Sequence, residues 1–175
     1  VCPPSEELLT GFVYGSEAFT FSRERLYGLY PTLTGETGQV SYVPTRCRKG
    51  PQERWMVAAG PTGSEGIFFI ADDGIYRTDG GAAVPISDAV IEDLFRGRAR
   101  NGYLPIARTD LTKLRLTLHE NELWFHYLDT AGDTRILVYD LVFDFWSAHK
   151  FGQQTASLYS EGPTHQSSLL LGGRG

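Results

Sequence analysis

Four aromatic-rich apolar runs recur along this chain: Leu26-Tyr27-Gly28-Leu29-Tyr30, Ile67-Phe68-Phe69-Ile70, Leu123-Trp124-Phe125-His126-Tyr127 and Ser168-Leu169-Leu170-Leu171. Their first apolar residues stand 41, 56 and 46 positions apart (26 to 67, 67 to 123, 123 to 169). A repeat of roughly 40–50 residues made only of strands is the pattern of β-propeller blades. One such sheet cannot bury both of its faces, so repeated sheets must stack. The spacing therefore speaks to architecture before any single residue does.

Turn residues divide the chain around these runs. Residues 18–22 alternate apolar and polar with period two, the charged step Arg23-Glu24-Arg25 leads into the first run, and Val40-Ser41-Tyr42-Val43 alternates again. This is a three-stranded meander within a first unit of about 12–50, followed by a basic loop holding Arg46, Arg48 and Lys49. A second unit, about 51–86, holds four short strands. Asp72-Asp73-Gly74 is its hairpin turn, since Asp and Gly tolerate positive φ. Pro85 has no backbone donor and belongs on an outer edge.

A third unit, about 113–151, repeats the four-strand plan, and a fourth, about 152–175, holds two strands. The expected fold is all-β: four-stranded antiparallel propeller-type blades, about three and a half of them, in a single domain or sector. Residues 87–112 interrupt the pattern and predict one short inserted helix. Ser87 or Asp88 is its N-cap, Glu92 and Asp93 sit near its positive end, Val90, Ile91, Leu94 and Phe95 form an apolar face, and Gly97 stops it.

A ring of fewer than four blades does not close. Closure then needs the strand around Phe12-Val13-Tyr14 to complete the last half-blade, two copies to join, or further sequence. Both ends of the sequence read as cut, and a fragment of a longer polypeptide is one expectation.

The residues at 66–76, Gly-Ile-Phe-Phe-Ile-Ala-Asp-Asp-Gly-Ile-Tyr, followed by Asp79-Gly80 and Pro85-Ile86-Ser87, resemble β-propeller segments of tail nozzle and neck proteins of short-tailed phages. Phe21-Ser22-Arg23-Glu24-Arg25-Leu26-Tyr27 looks like the strand-turn-strand before that hairpin. Val138-Tyr139-Asp140-Leu141 with Trp146-Ser147 looks like the tyrosine-aspartate-tryptophan pattern of the next blade. The resemblance covers most of residues 12–150 and its motifs speak to fold. It implies a structural role in the virion, protein subunits as partners, and no catalytic residues. Proteins of that family are much longer than this chain.

Charge and composition exclude some classes. The chain of 175 residues carries 16 basic and 21 acidic side chains, for a net charge of −5, which argues against general affinity for a phosphate backbone. No run of about 18 apolar residues is present, so no membrane span is expected. Cys2 and Cys47 make no metal-ligand spacing and at most one bridge. Arg46 and Arg48 flank Cys47 and would lower its pKa if held close.

His119 and His126 could face each other across a hairpin as a weak zinc signal, but a turn histidine and a packed one explain them better. Asp72, Asp73, Asp79, Asp129 and Asp133 read as turn stabilisers rather than calcium ligands. No Gly-x-Ser-x-Gly elbow or phosphate loop occurs. No catalytic residue, metal or cofactor is expected. The expected role is an assembly scaffold, with Val90, Ile91, Leu94, Phe95, Arg96, Arg98 and Arg100 as the protein-contact candidates and a homo-oligomer as one outcome. A glycan-binding module is the alternative and a propeller hydrolase the third reading.

Overall fold

A computed structural model describes residues 5–32, 39–60, 65–87 and 89–149, with the backbone of 154–161 and 167–173. The chain is mostly β. It divides into two compact units, Val1–Arg54 with Ala59–Ile86, and Trp55–Ala58 with Ser87–Gly175.

The first sheet holds β1 (Leu8–Tyr14), β2 (Glu17–Ser22), β3 (Leu26–Pro31) and β4 (Val40–Pro44) in that order, all antiparallel. Sequence reading placed three of these strands here and offered Phe12-Val13-Tyr14 as a strand for the last half-blade. The fourth is β1, and it changes the closure argument: Phe12 pairs with Phe19 and Val13 with Ala18, so this segment belongs to its own sheet and does not complete the last one. The cause is local. Gly15 adopts φ 61°, and with Ser16 makes a two-residue turn that folds β1 straight back onto β2. Aligned by strand order, the repeat runs through β2 rather than β3.

The second sheet holds β5 (Val57–Ala59), β6 (Ile67–Ile70), β7 (Ile75–Thr78) and β8 (Val84–Pro85), again in chain order. Pro85 lies on the edge strand, where its missing donor leaves no ladder bond unmade. The Asp72-Asp73-Gly74 turn closes through Ala71 N–H to Gly74 O at 2.9 Å, and none of the three turn residues has positive φ. Asp73 holds it instead: its carboxylate accepts from Tyr76 Oη at 2.9 Å and from Lys49 Nζ at 2.5 Å.

All four residues of β6 are buried. Successive side chains on a strand point to opposite faces, so this sheet is covered on both sides. On one of them Phe69 meets Phe21 of β2, ring centroids 4.9 Å apart, and β2 also carries Phe19 and Phe21 against Phe12. Thus the second strands of the first two sheets meet through this ring pair. The segment joining the sheets runs tightly past the β2–β3 turn. A Cβ at Gly50 would stand 2.0 Å from Ser22 O, a separation no side chain tolerates.

In the second unit the expected helix is present as α1 (Ala89–Phe95), with Asp88 outside the described residues. Its end is a Schellman motif: Arg98 N–H bonds Asp93 O at 2.8 Å, Gly97 N–H bonds Leu94 O at 3.3 Å, and Gly97 takes φ 76°. A 3-10 turn, Leu111–Lys113, follows, with the Asp110 side chain accepting from Thr112 N–H.

The third sheet holds β9 (Arg115–His119), β10 (Glu122–Leu128), β11 (Thr134–Asp140) and β12 (Phe145–His149). Leu123 through Tyr127 are all buried, so β10, like β6, is covered on both faces. Trp124 packs with Ile136 and Val138 on one face. On the other Phe125 stacks on Phe95 of α1 at 6.0 Å and on Tyr127 at 5.3 Å. The last hairpin, β13 (Gln154–Glu161) with β14 (Ser167–Gly173), runs beside β9 and touches β10.

Two glycines separate clash from strain. Gly50→Ala meets backbone and should lower stability by about 1–3 kcal/mol. Gly97→Ala has nothing within 4 Å. It pays only for the left-handed φ, about 1–2 kcal/mol. Chemical denaturation reads both. A Gly97→Asn variant should recover most of the second loss and a Gly50→Asn variant none of the first.

Candidate functional site

The two basic clusters of the sequence have different fates. Beside α1, Ile91, Leu94 and Phe95 are buried within the chain and Val90 is half-buried, so the apolar helix face is mostly covered. Arg96, Arg98 and Arg100 are exposed, and their charges are engaged locally. Arg96 lies 3.2 Å from Glu92, and Asp93 receives Arg100 at 2.7 Å and Arg98 at 3.9 Å. The Arg100 bond holds the Asp93 carboxyl below its ordinary range. Arg108 donates to Phe95 O, tying the following loop to the helix end. These arginines brace a helix terminus.

The second cluster makes a cleft. Arg23, Glu24 and Arg25 of the β2–β3 turn form one wall, and Arg48, Lys49 and Gln52 of the joining segment form another. Gly50, Ala71 and Asp72 complete an open space of about 330 Å³. The turn is shaped by Ser22, whose hydroxyl accepts from the N–H groups of Glu24 and Arg25 at 3.2 Å each and donates to Glu6. Arg23 donates to Gln52 O and lies 3.6 Å from Glu53. Arg25 stands 3.3 Å from Glu6, close enough for attraction without the alignment of a hydrogen bond. Sequence reading noted Arg23–Arg25 and Arg46–Lys49 separately. Only the turn over Gly50 brings them together.

At the floor Lys49 bonds both Asp73 and Tyr76 Oη (2.9 Å). Burial works against its charge, but these two bonds more than offset that and raise its pKa. The amine therefore stays protonated and is no nucleophile. Cys47, expected as an unreactive thiol in a loop between arginines, is fully buried, with Sγ 3.3 Å from Lys49 O. Burial raises its thiol pKa, so the flanking arginines do not activate it. Cys2 lies outside the described residues.

The two histidines do not meet. His119 pairs with Glu122 and His126 with Arg115, four rows apart along the β9–β10 ladder. Among the described residues no group of three His, Cys, Asp or Glu could hold a metal. Asp129 is a buried turn carboxylate. It accepts from Arg135 Nε at 2.7 Å and from the N–H groups of Ala131 and Asp133 at 2.9 Å. Burial pushes its pKa up, and these bonds outweigh that and hold it below the ordinary value. Asp79 and Asp140 accept from backbone N–H groups two residues on in the same way.

No protein-family model matches the sequence, and no curated protein matches it. No helix among the described residues is long and apolar enough to cross a membrane.

Two substitutions test these buried polar groups. Asp129→Ala leaves two N–H groups without their acceptor and Arg135 with Asp133 alone, and should cost roughly 1–3 kcal/mol, read by denaturant melts. His126 has its pKa lowered to about 4, by burial first and by Arg115 second. The unfolded chain therefore binds more protons between pH 6.5 and 4, and stability is lost as pH falls through that window. The loss totals about 3 kcal/mol. A His126→Leu variant should flatten that part of the stability–pH curve.

Proposed function

We propose that the chain is a structural assembly component built of propeller-type blades, part of a phage tail or neck protein, with no catalytic activity. The supporting observation is the burial of β6 and β10 on both faces, because four-stranded meanders covered on two sides call for stacked neighbours. Within each unit, strands of successive sheets lie together: β2 against β6 through Phe21 and Phe69, and β13 beside β9. The tyrosine-aspartate-tryptophan pattern supports the same reading as a folding device. Tyr139 and Trp146 are cross-strand partners with ring centroids 5.1 Å apart, and Asp140 between them caps the turn.

The rival glycan-binding role draws no support from the tryptophans. Trp124 is buried, and Trp55 donates to Leu111 O at 3.3 Å with Arg115 over its ring. Electron cryomicroscopy of the purified protein should reveal four-stranded sheets fanned about a common axis. An antibody to the chain should label the tail or neck of the phage particle. A single flat sandwich overturns the blade reading, and specific glycan-array hits or hydrolytic turnover overturn the scaffold role.

A further inference from the structure

Three times in this chain an aspartate or asparagine stands directly before glycine: Asp73-Gly74, Asp79-Gly80 and Asn101-Gly102. Such a step can react with itself. The glycine nitrogen, unshielded by any side chain of its own, can attack the carboxyl or amide carbon of the residue before it and close a five-membered ring. Local bonding decides which of the three is open to this.

At Asp73 both carboxylate oxygens are engaged, Oδ1 by Tyr76 Oη at 2.9 Å and Oδ2 by Lys49 Nζ at 2.5 Å. At Asp79, Oδ1 accepts from Gly81 N–H at 2.8 Å, and the nitrogen that would attack is tied as well, Gly80 N–H donating to Thr78 Oγ1 at 3.2 Å. A carboxylate is besides a poorer electrophile than an amide.

The third step differs on each count. Asn101 and Gly102 are both exposed and adopt φ 52° and 81°, two positive values in succession, as in a type I′ turn. One reciprocal backbone pair closes the turn, Arg100 N–H to Tyr103 O at 3.0 Å and Tyr103 N–H to Arg100 O at 2.9 Å. Among the described residues nothing bonds the Asn101 amide or Gly102 N–H, and a Cβ at Gly102 would find no atom within 4 Å. Ring closure needs rotation about the Asn101 Cα–C bond, and the Arg100–Tyr103 pair is what resists it. The chain's other asparagine, Asn121, precedes Glu122, whose side chain shields the nitrogen, and Asn121 O is held by Leu141 N–H at 2.8 Å.

We propose that Asn101 is a site of spontaneous deamidation, which converts this turn to a mixture of isoaspartate and aspartate. The Gly102 nitrogen, deprotonated by solvent base, bonds to Asn101 Cγ. The Cγ–Nδ2 bond then breaks, and Nδ2 leaves as ammonia with a proton from solvent. Water opens the ring, at Cγ to give aspartate or at the main-chain carbonyl carbon to give isoaspartate, and the Gly102 nitrogen regains its proton. The sum is amide plus water going to carboxylate plus ammonium. The new carboxylate adjoins Arg100, a partner of Asp93. Isoaspartate also adds one carbon to the main chain of a two-residue turn, so the Arg100–Tyr103 pair no longer closes as before.

Incubation of the folded chain at mildly alkaline pH in water labelled with heavy oxygen, then proteolysis and mass spectrometry, tests this. The peptide holding Asn101 should gain the mass of an amide-to-acid change with one labelled oxygen, and the net charge of −5 should become one unit more negative. Asn121 should keep its amide over the same period. Asp79→Asn, a surface change checked for an unaltered thermal melt, places the same dipeptide in the turn held by Thr78 and Gly81. Two further bonds must open there, so its amide should be lost about tenfold more slowly than that of Asn101. Hydrogen exchange at Tyr103 N–H should quicken in the aged chain and stay slow in Asn101→Asp, which carries the charge without the extra carbon. An Asn101 amide that survives in the folded chain overturns the proposal, as does equal loss at Asn121 or in Asp79→Asn. Unchanged exchange at Tyr103 in the isoaspartate chain overturns the opening of the turn.

Discussion

Burial of both faces of a short strand is the constraint on which the rest of this structure depends. Ile67, Phe68, Phe69 and Ile70 occupy four successive positions and all are buried, as are the five from Leu123 to Tyr127. Each such side chain contributes about 1.5–3 kcal/mol when removed from water, so neither face can be left open cheaply. A meander of short strands has only neighbouring sheets or an inserted helix to offer as cover. Phe21 provides that cover for Phe69, and Phe95 of α1 for Phe125. The helix is thus part of the layering and not an appendage, which is why its apolar face is spent inside the chain.

Charged side chains serve mostly to hold turns. Asp73, Asp79, Asp129 and Asp140 each bond local backbone or a nearby cation, and Ser22 does the same for the Arg23–Arg25 step. A small protein built of short antiparallel strands needs many tight turns, and a carboxylate that accepts two or three N–H bonds satisfies donors the sheet ladders cannot reach. The same use explains the perturbed groups. Asp129, His126 and Lys49 depart from ordinary behaviour through burial and local partners, without converging on one another. Perturbation here marks packing.

Much of this was legible from residue pattern. The second and third sheets, the edge position of Pro85, the helix over residues 89–95 and the Gly97 stop all follow from periodicity and local chemistry acting within a few residues. The strand around Phe12-Val13-Tyr14 was legible but its partner was not, since only the Gly15 turn brings β1 beside β2. The Asp72-Asp73-Gly74 turn was placed correctly with the wrong backbone reason, since Tyr76, three residues on, and Lys49, remote in sequence, hold Asp73 without positive φ. The inertness expected of Cys47 has a cause the sequence does not record: arginines flank it in sequence, but the thiol is buried with Sγ against Lys49 O.

Sequence alone determined the elements, because hydrophobic period, turn residues and caps act over one strand or one helix turn. It also determined that the sheets need cover, because uninterrupted apolar runs announce two buried faces. Tertiary structure alone decided which ring meets which, that Arg23 and Arg48 share a cleft over Gly50, and that Phe143 faces water while Phe125 does not. Those outcomes depend on where distant segments cross, and no local property of a residue records that distance.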